Sequence, residues 1–182
     1  ANSSMKNVFD QLNSEEFLQW LNYITEIEEP LISDPGLFGG GLHQSIKGAF
    51  LNVHVDYNIL PETNNHRRLN VLIYMNKDWK DEYEGQLELW EINESKQAIL
   101  EKVTPIFNRC VIFETNEISF HGHPKPLNTP VGMSRKSLAT YYYKKTRPLS
   151  EIADDHNTIY INTEGGVGQI KRFKSGVKAV LE

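Results

Sequence analysis

The chain has 182 residues, a length that one hydrophobic core can fill without help from disulfides. With 24 acidic against 19 basic residues its formal charge is -5, which argues against a general nucleic-acid or anionic-membrane binder, since such proteins carry a basic surplus. The single cysteine, Cys110, permits neither an intramolecular disulfide nor a four-thiolate zinc site, and it fits a reducing compartment.

In chain order, Ala1 to Asn13 contains neither a basic segment followed by an apolar run nor a stretch able to cross a bilayer, so a cytoplasmic location is expected. Asn13 or Ser14 followed by Glu16 marks a helix start. Phe17, Leu18, Leu21 and Ile24, with Trp20 and Tyr23, continue it as an amphipathic helix. Pro30, Asp34-Pro35-Gly36 and Gly39-Gly40-Gly41 break that pattern, and the glycine run reads as a turn or an entrance loop without the Gly-Lys-Ser/Thr ending of a phosphate cradle. Strands are predicted at about 49–56, 68–76, 86–91, 109–115 and 134–144. Strands without regular intervening helices favour an antiparallel sandwich or barrel, and a double-sheet jelly roll protects its edges. Near the end, Lys171, Arg172, Lys174 and Lys178 alternate with Phe173, Val177, Val180 and Leu181, which predicts a terminal helix with a solvated basic face. The expected organisation is one domain over 1–182 with a motif-bearing core at about 39–146.

Side chains two apart on a strand share a face, so in Phe50-Leu51-Asn52-Val53-His54-Val55-Asp56 the residues Asn52, His54 and Asp56 point one way and Leu51, Val53 and Val55 the other. An imidazole and a carboxylate projecting together suit a divalent metal. A second, distant histidine would complete the two-histidine, one-carboxylate triad that binds iron(II) on one face and leaves the other open. Alone, the His-x-Asp pair equally fits a half-exposed strand with a polar outer face. His121 follows the apolar strand Cys110-Val111-Ile112-Phe113 and is itself followed by Arg135 and Ser137, which share a strand face. A guanidinium forks onto a carboxylate and a neighbouring hydroxyl adds a further hydrogen bond, the arrangement that grips the far end of a dicarboxylic acid. The alternative for Arg135 is a surface position on an edge strand. His43, His66 and His156 fit no such pattern and read as surface or packing residues. Trp79, Trp90 and Tyr141-Tyr142-Tyr143 either line a cleft or pack in the core, and Cys110 in its apolar strand reads as a buried, inert thiol.

Taken together, the blocks from about Gly39 to Tyr143 resemble the 2-oxoglutarate and iron(II)-dependent oxygenases of the prolyl-hydroxylase-like superfamily. Gly48 to Asp56 is similar to the strand bearing the family's His-x-Asp motif. Arg68 to Trp79 with Gly85 to Leu89 is similar to a strand pair of the oxygen-sensing animal prolyl hydroxylases. Phe120-His121-Gly122 followed by Arg135-Lys136-Ser137 resembles the distal histidine and the Arg-x-Ser form of the co-substrate anchor.

The resemblance implies a mainly β fold, a double-stranded β-helix or jelly roll, supported by N-terminal and C-terminal helices. It implies His54, Asp56 and His121 as metal ligands and catalytic residues, with Arg135, Ser137 and Tyr74 on the co-substrate. Gln44 stands where a co-substrate tyrosine is often found. The interval from His121 to Arg135 is longer than in many members, which makes His123 a rival distal ligand, and His121 is preferred because it ends a Ser-x-His-Gly-like turn. The implied cofactors are Fe(II), 2-oxoglutarate and O2, with ascorbate as an accessory. The implied partner is a peptide or small-molecule substrate, with neither nucleic acid nor membrane. The implied activity is hydroxylation of an unactivated C–H bond, in a prolyl residue, an amino acid or a small metabolite, with 2-oxoglutarate decarboxylated to succinate and CO2. Related halogenases lack the carboxylate ligand, so Asp56 favours hydroxylation. The competing reading is a non-catalytic metal-binding jelly-roll or cupin-like module. The presence of Arg135 and Tyr74 argues against it, and the cupin His-x-His arrangement is absent at 54–56.

Overall fold

The computed structural model describes residues 3–163 together with Arg172–Phe173. Two helices open the chain where one was predicted: α1 (Ser3–Leu12) and α2 (Glu15–Thr25). The first has its own narrow stripe of Met5, Phe9 and Leu12 turned inward. Ser14 separates the two and caps the second, its hydroxyl accepting from the Phe17 amide at 3.2 Å, while Glu15 and Glu16 favour the positive end of the helix dipole. Among the described residues no helix is long and apolar enough to cross a membrane.

The rest is antiparallel β structure: β1 (Gly41–Ser45), β2 (Leu51–Val55), β3 (Ile59–Leu60), β4 (Asn65–Tyr74), β5 (Leu87–Ile92), β6 (Gln97–Val103), β7 (Cys110–Glu114), β8 (Phe120–His123), β9 (Arg135–Lys144), β10 (Ile159–Ile161) and β11 (Arg172–Phe173). All five predicted strands are present. They are arranged as two sheets, one in the order β1-β9-β4-β3 with β7 also on β4, the other β11-β10-β2-β8-β5-β6. Apart from the hairpin pairs β3-β4, β5-β6 and β10-β11, successive strands alternate between the sheets, as in a jelly roll. The expected terminal helix lies outside the described residues except for Arg172–Phe173, which pair with Tyr160–Ile161 as a strand.

Strands β4 and β9 are the centre of the first sheet and have two buried faces. One face, with Leu69, Val71 and Tyr142, packs against Leu21, Ile27 and Leu31 of the helical layer. The Tyr142 hydroxyl is satisfied there by the Leu12 carbonyl at 2.7 Å. The opposite face, with Asn70, Tyr74, Arg135 and Ser137, looks into the space between the sheets. Leu21 has no exposed surface, so Leu21→Ala is expected to cost about 2–5 kcal/mol, read as a lower denaturant midpoint at an unchanged slope. The second sheet buries Val53, Val55, Ile92, Phe120 and Ile161 on its own reverse face. Cys110, expected to be buried, is exposed: it lies on the same face as Ile112, but at the first position of β7, a strand that pairs with β4 alone and so forms an edge of the sheet.

Candidate active site

In the second sheet β2 and β8 are neighbours, and His54 and His121 stand directly opposite each other across the pair. Their ring centroids are 4.4 Å apart and both side chains are buried. One device orients both rings: each Nδ1 lies 2.8 Å from the backbone carbonyl two residues earlier, Asn52 for His54 and Ser119 for His121. A carbonyl only accepts, so Nδ1 carries the proton and each Nε2 keeps a lone pair for a metal. Asp56, one residue past β2, brings Oδ1 to 3.6 Å from His54 Nε2 and Oδ2 to 3.4 Å from His121 Nε2. The ligand atoms of the three residues all lie within 4.8 Å of one another. Donors at right angles, each about 2.1 Å from a common ion, are roughly 3 Å apart, so this set fits one divalent metal on one face and leaves the opposite positions open.

Burial alone would raise the Asp56 carboxyl, but the Arg67 guanidinium, then His121 and His54, outweigh it and hold the group well below the usual carboxylate range. Asp56 is therefore an anion. Arg67 Nη2 stands 3.0 Å from Oδ2, and Asn70 Nδ2 donates to the same oxygen at 2.8 Å. Arg67 also donates to Asn70 Oδ1 from Nε and Nη2, at 3.0 and 2.8 Å, and lies 3.6 Å from the Tyr141 ring centroid and 4.5 Å from that of Tyr57. A β-bulge makes this possible. The register of β4 against β9 shifts between Arg67 and Leu69, so Arg67 pairs with Tyr143 and faces the interior instead of joining Leu69 on the helical side. Burial, with His54 beside it, pushes His121 down to about 4, which keeps the ring a neutral ligand at neutral pH.

On the facing sheet, Arg135 is buried with Nε donating to the Gly85 carbonyl at 2.8 Å and Nη2 to the Tyr74 hydroxyl at 3.3 Å. Tyr74 and Ser137 are cross-strand partners, which places hydroxyls beside the guanidinium. Arg67 has Asp56 as its counter-charge, whereas among the described residues no carboxylate pairs with Arg135. A buried guanidinium oriented by neutral groups alone is a receptor for an anionic ligand.

Residues 40–143 match the family model described as the 2OG-Fe(II) oxygenase superfamily, and that span, more than half the chain, contains both the triad and Arg135. The chain belongs to the 2OG-Fe(II) oxygenase superfamily. The family brings Fe(II), 2-oxoglutarate and O2, and the donor set just described suits the metal. Mouse (Mus musculus) prolyl 3-hydroxylase OGFOD1 is 28% identical over 108 residues, covering 52% of this chain and 19% of that protein. A prolyl 4-hydroxylase from Phytophthora capsici has the same fold at a TM-score of 0.55 and 19% identity, over 79% of this chain and 45% of the other. The chain thus spans less than half of either relative.

Within this oxygenase framework, His54, Asp56 and His121 are brought together, and Arg135, Tyr74 and Ser137 form a second group on the opposing sheet. Gln44 joins neither. It pairs with Lys136, on the reverse face of β9 from Arg135 and Ser137, and donates to Ser134 Oγ at 3.0 Å. Its neighbour His43, set aside on sequence grounds, is the residue opposite Ser137. Strand β1 lacks the apolar alternation that would have shown which of the two faces inward. His123 is not part of the metal cluster. The tyrosine run divides by parity: Tyr141 stacks on Arg67 and Tyr143 hydrogen-bonds Tyr57 at 2.6 Å, while Tyr142 is core. Trp79 and Trp90 pack with their indole N–H groups satisfied by the Glu84 carbonyl and the Glu88 carboxylate, at 3.2 and 3.1 Å.

Proposed function

We propose that this chain is a hydroxylase that places one oxygen atom of O2 into an unactivated C–H bond of a prolyl residue in a peptide or protein, while 2-oxoglutarate is converted to succinate and CO2. The observation that carries the reading is the pairing of two sites on facing sheets: a buried two-histidine, one-carboxylate face with both Nε2 atoms available, and a buried Arg135 oriented by Gly85 and Tyr74 with no carboxylate partner among the described residues. A purely structural metal has no use for a dicarboxylate anchor. The prolyl substrate is supported by the likeness to the mouse prolyl 3-hydroxylase across the motif-bearing region.

In this reading His54, Asp56 and His121 hold the metal, and Asp56 supplies the one negative charge among the ligands. Iron(II), when bound, supplies the oxygen activation that protein side chains cannot. Arg135 binds the far carboxylate of 2-oxoglutarate, with Tyr74 and Ser137 as neighbouring hydroxyls, and so fixes which end of the acid meets the triad. Phe113, 4.8 Å from His121 centroid to centroid, and Tyr160, 5.4 Å from His54, wall the ligating rings and limit water around them.

Protein supplied with iron(II), ascorbate and 2-oxoglutarate is expected to release succinate slowly, and faster with a proline-containing peptide that gains the mass of one oxygen atom. Succinate release no greater than that of a chelator-treated control would reject the assignment. Release with no oxidised product across proline peptides, but with one among free amino acids or metabolites, would reject the prolyl substrate alone. Gly85 has φ +77°, and a Cβ there would stand 2.4 Å from Leu127 Cδ2 and 3.1 Å from Arg135 Cδ. Gly85→Ala should therefore displace the carbonyl that orients Arg135 and raise the 2-oxoglutarate concentration needed for half-maximal release by about tenfold.

A further inference from the structure

On β8 the side chains alternate, so His121 and His123 project to the same side of the sheet and Gly122 to the reverse. The reverse side is closed at this point. A Cβ on Gly122 would stand 2.8 Å from the Leu51 carbonyl oxygen and 2.9 Å from that of Asn52, because β2 carries a bulge between Leu51 and His54. Strand β8 is thereby pinned with both imidazoles facing the interior. His121 reaches the metal cluster, whereas His123 stands one strand repeat further on, opposite Leu51.

His123 is only 6% exposed, and among the described residues its buried Nδ1 has no hydrogen-bond partner. The other two interior histidines of this sheet each give Nδ1 to a carbonyl, so the orphan is specific to His123. Among charged groups its ring feels Arg135 first and His54 next, so both the anchor and a member of the triad are near it. A dicarboxylate that meets the triad at one end and Arg135 at the other occupies the space between the sheets that this face of β8 borders.

We propose that His123 is a third donor to the co-substrate, its imidazole N–H hydrogen-bonding the same carboxylate of 2-oxoglutarate that Arg135 and Tyr74 hold. The inference rests on the oxygenase reading above. It gives the buried imidazole a partner that arrives with the ligand, and it explains a polar ring at a position where an apolar one would pack at lower desolvation cost.

The test uses the manganese(II)-loaded protein, which binds without turnover, titrated calorimetrically with 2-oxoglutarate and with pyruvate, a 2-oxo acid that lacks the far carboxylate. Wild type should bind 2-oxoglutarate. His123→Phe, which keeps a ring without an N–H, should weaken it by about 10- to 100-fold while manganese and pyruvate affinities stay unchanged. His123→Gln, which retains a donor and avoids a wholly apolar replacement, should stay within a few-fold of wild type. An unchanged 2-oxoglutarate affinity in His123→Phe overturns the proposal, as does an equal loss for pyruvate, which would move the contact to the chelating end. Loss of manganese binding in either variant would make His123 a metal ligand and overturn it too. Wild-type protein that binds manganese and not 2-oxoglutarate would instead reject the underlying oxygenase reading.

Discussion

Asp56→Ala is expected to abolish succinate formation and to weaken divalent-metal binding by more than about 100-fold, beyond the 10- to 100-fold typical of changes outside the ligand set. Asp56 is the ligand that carries charge, and its oxygens are the ones that approach both Nε2 atoms. The same substitution leaves Arg67 buried without its counter-ion, which costs about 3–5 kcal/mol in comparable settings. Two effects are thus superposed; Asp56→Asn removes the same charge but keeps the shape and an acceptor for Asn70, and His121→Ala is the variant that separates metal loss from the Arg67 penalty. Metal titration should fail for both variants, whereas thermal unfolding should be lower for the alanine variant. His121→Ala should match the loss of metal without the Arg67 penalty. Turnover equal to wild type in any of the three would show that the metal lies elsewhere.

Arg135→Met should raise the 2-oxoglutarate concentration for half-maximal succinate release by about 100-fold or more, with metal affinity unchanged. Burial disfavours the charged form of this guanidinium, and Tyr74 partly offsets that, so the folded chain holds a cation whose desolvation its own residues recover only in part. An incoming carboxylate completes the recovery with charge-assisted, two-pronged hydrogen bonds that methionine cannot make. Methionine fills a comparable volume, so the strand should remain paired and the effect should appear as a raised requirement, not as lost fold. Arg135→Lys should recover only part of the affinity, because a point charge does not reproduce the fork held by Gly85 and Tyr74. An unchanged requirement in Arg135→Met would mean that another cation anchors the acid.

Much of the site was legible because its chemistry is local. The spacing of His54 and Asp56 on a strand, and of Arg135 and Ser137 on another, follows from a side-chain period of two and needs no knowledge of the partner strand. The residues that support the site were not legible. Asn70 and Tyr74 keep parity along β4, but Arg67 reaches Asp56 only because a bulge adds a residue between it and Leu69. Nothing in Asn65-His66-Arg67-Arg68 distinguishes the arginine that turns inward from its neighbour, which pairs instead with Glu114 and Glu151. The side to which Gln44 turns was not legible for a related reason: β1 has no apolar face, so its orientation is dictated by its register with β9.

The residue types of the ligand set, the anchor that follows them and the β character of the core were determined by the sequence alone, since each depends on chemistry and periodicity within a few residues. Tertiary structure decided which imidazole meets Asp56, that Arg67 is its counter-charge and that Arg135 has none among the described residues. Those outcomes depend on bulges and strand register, and such pairings are settled between segments far apart in the chain, where one residue of slip exchanges the inside of a sheet for its outside.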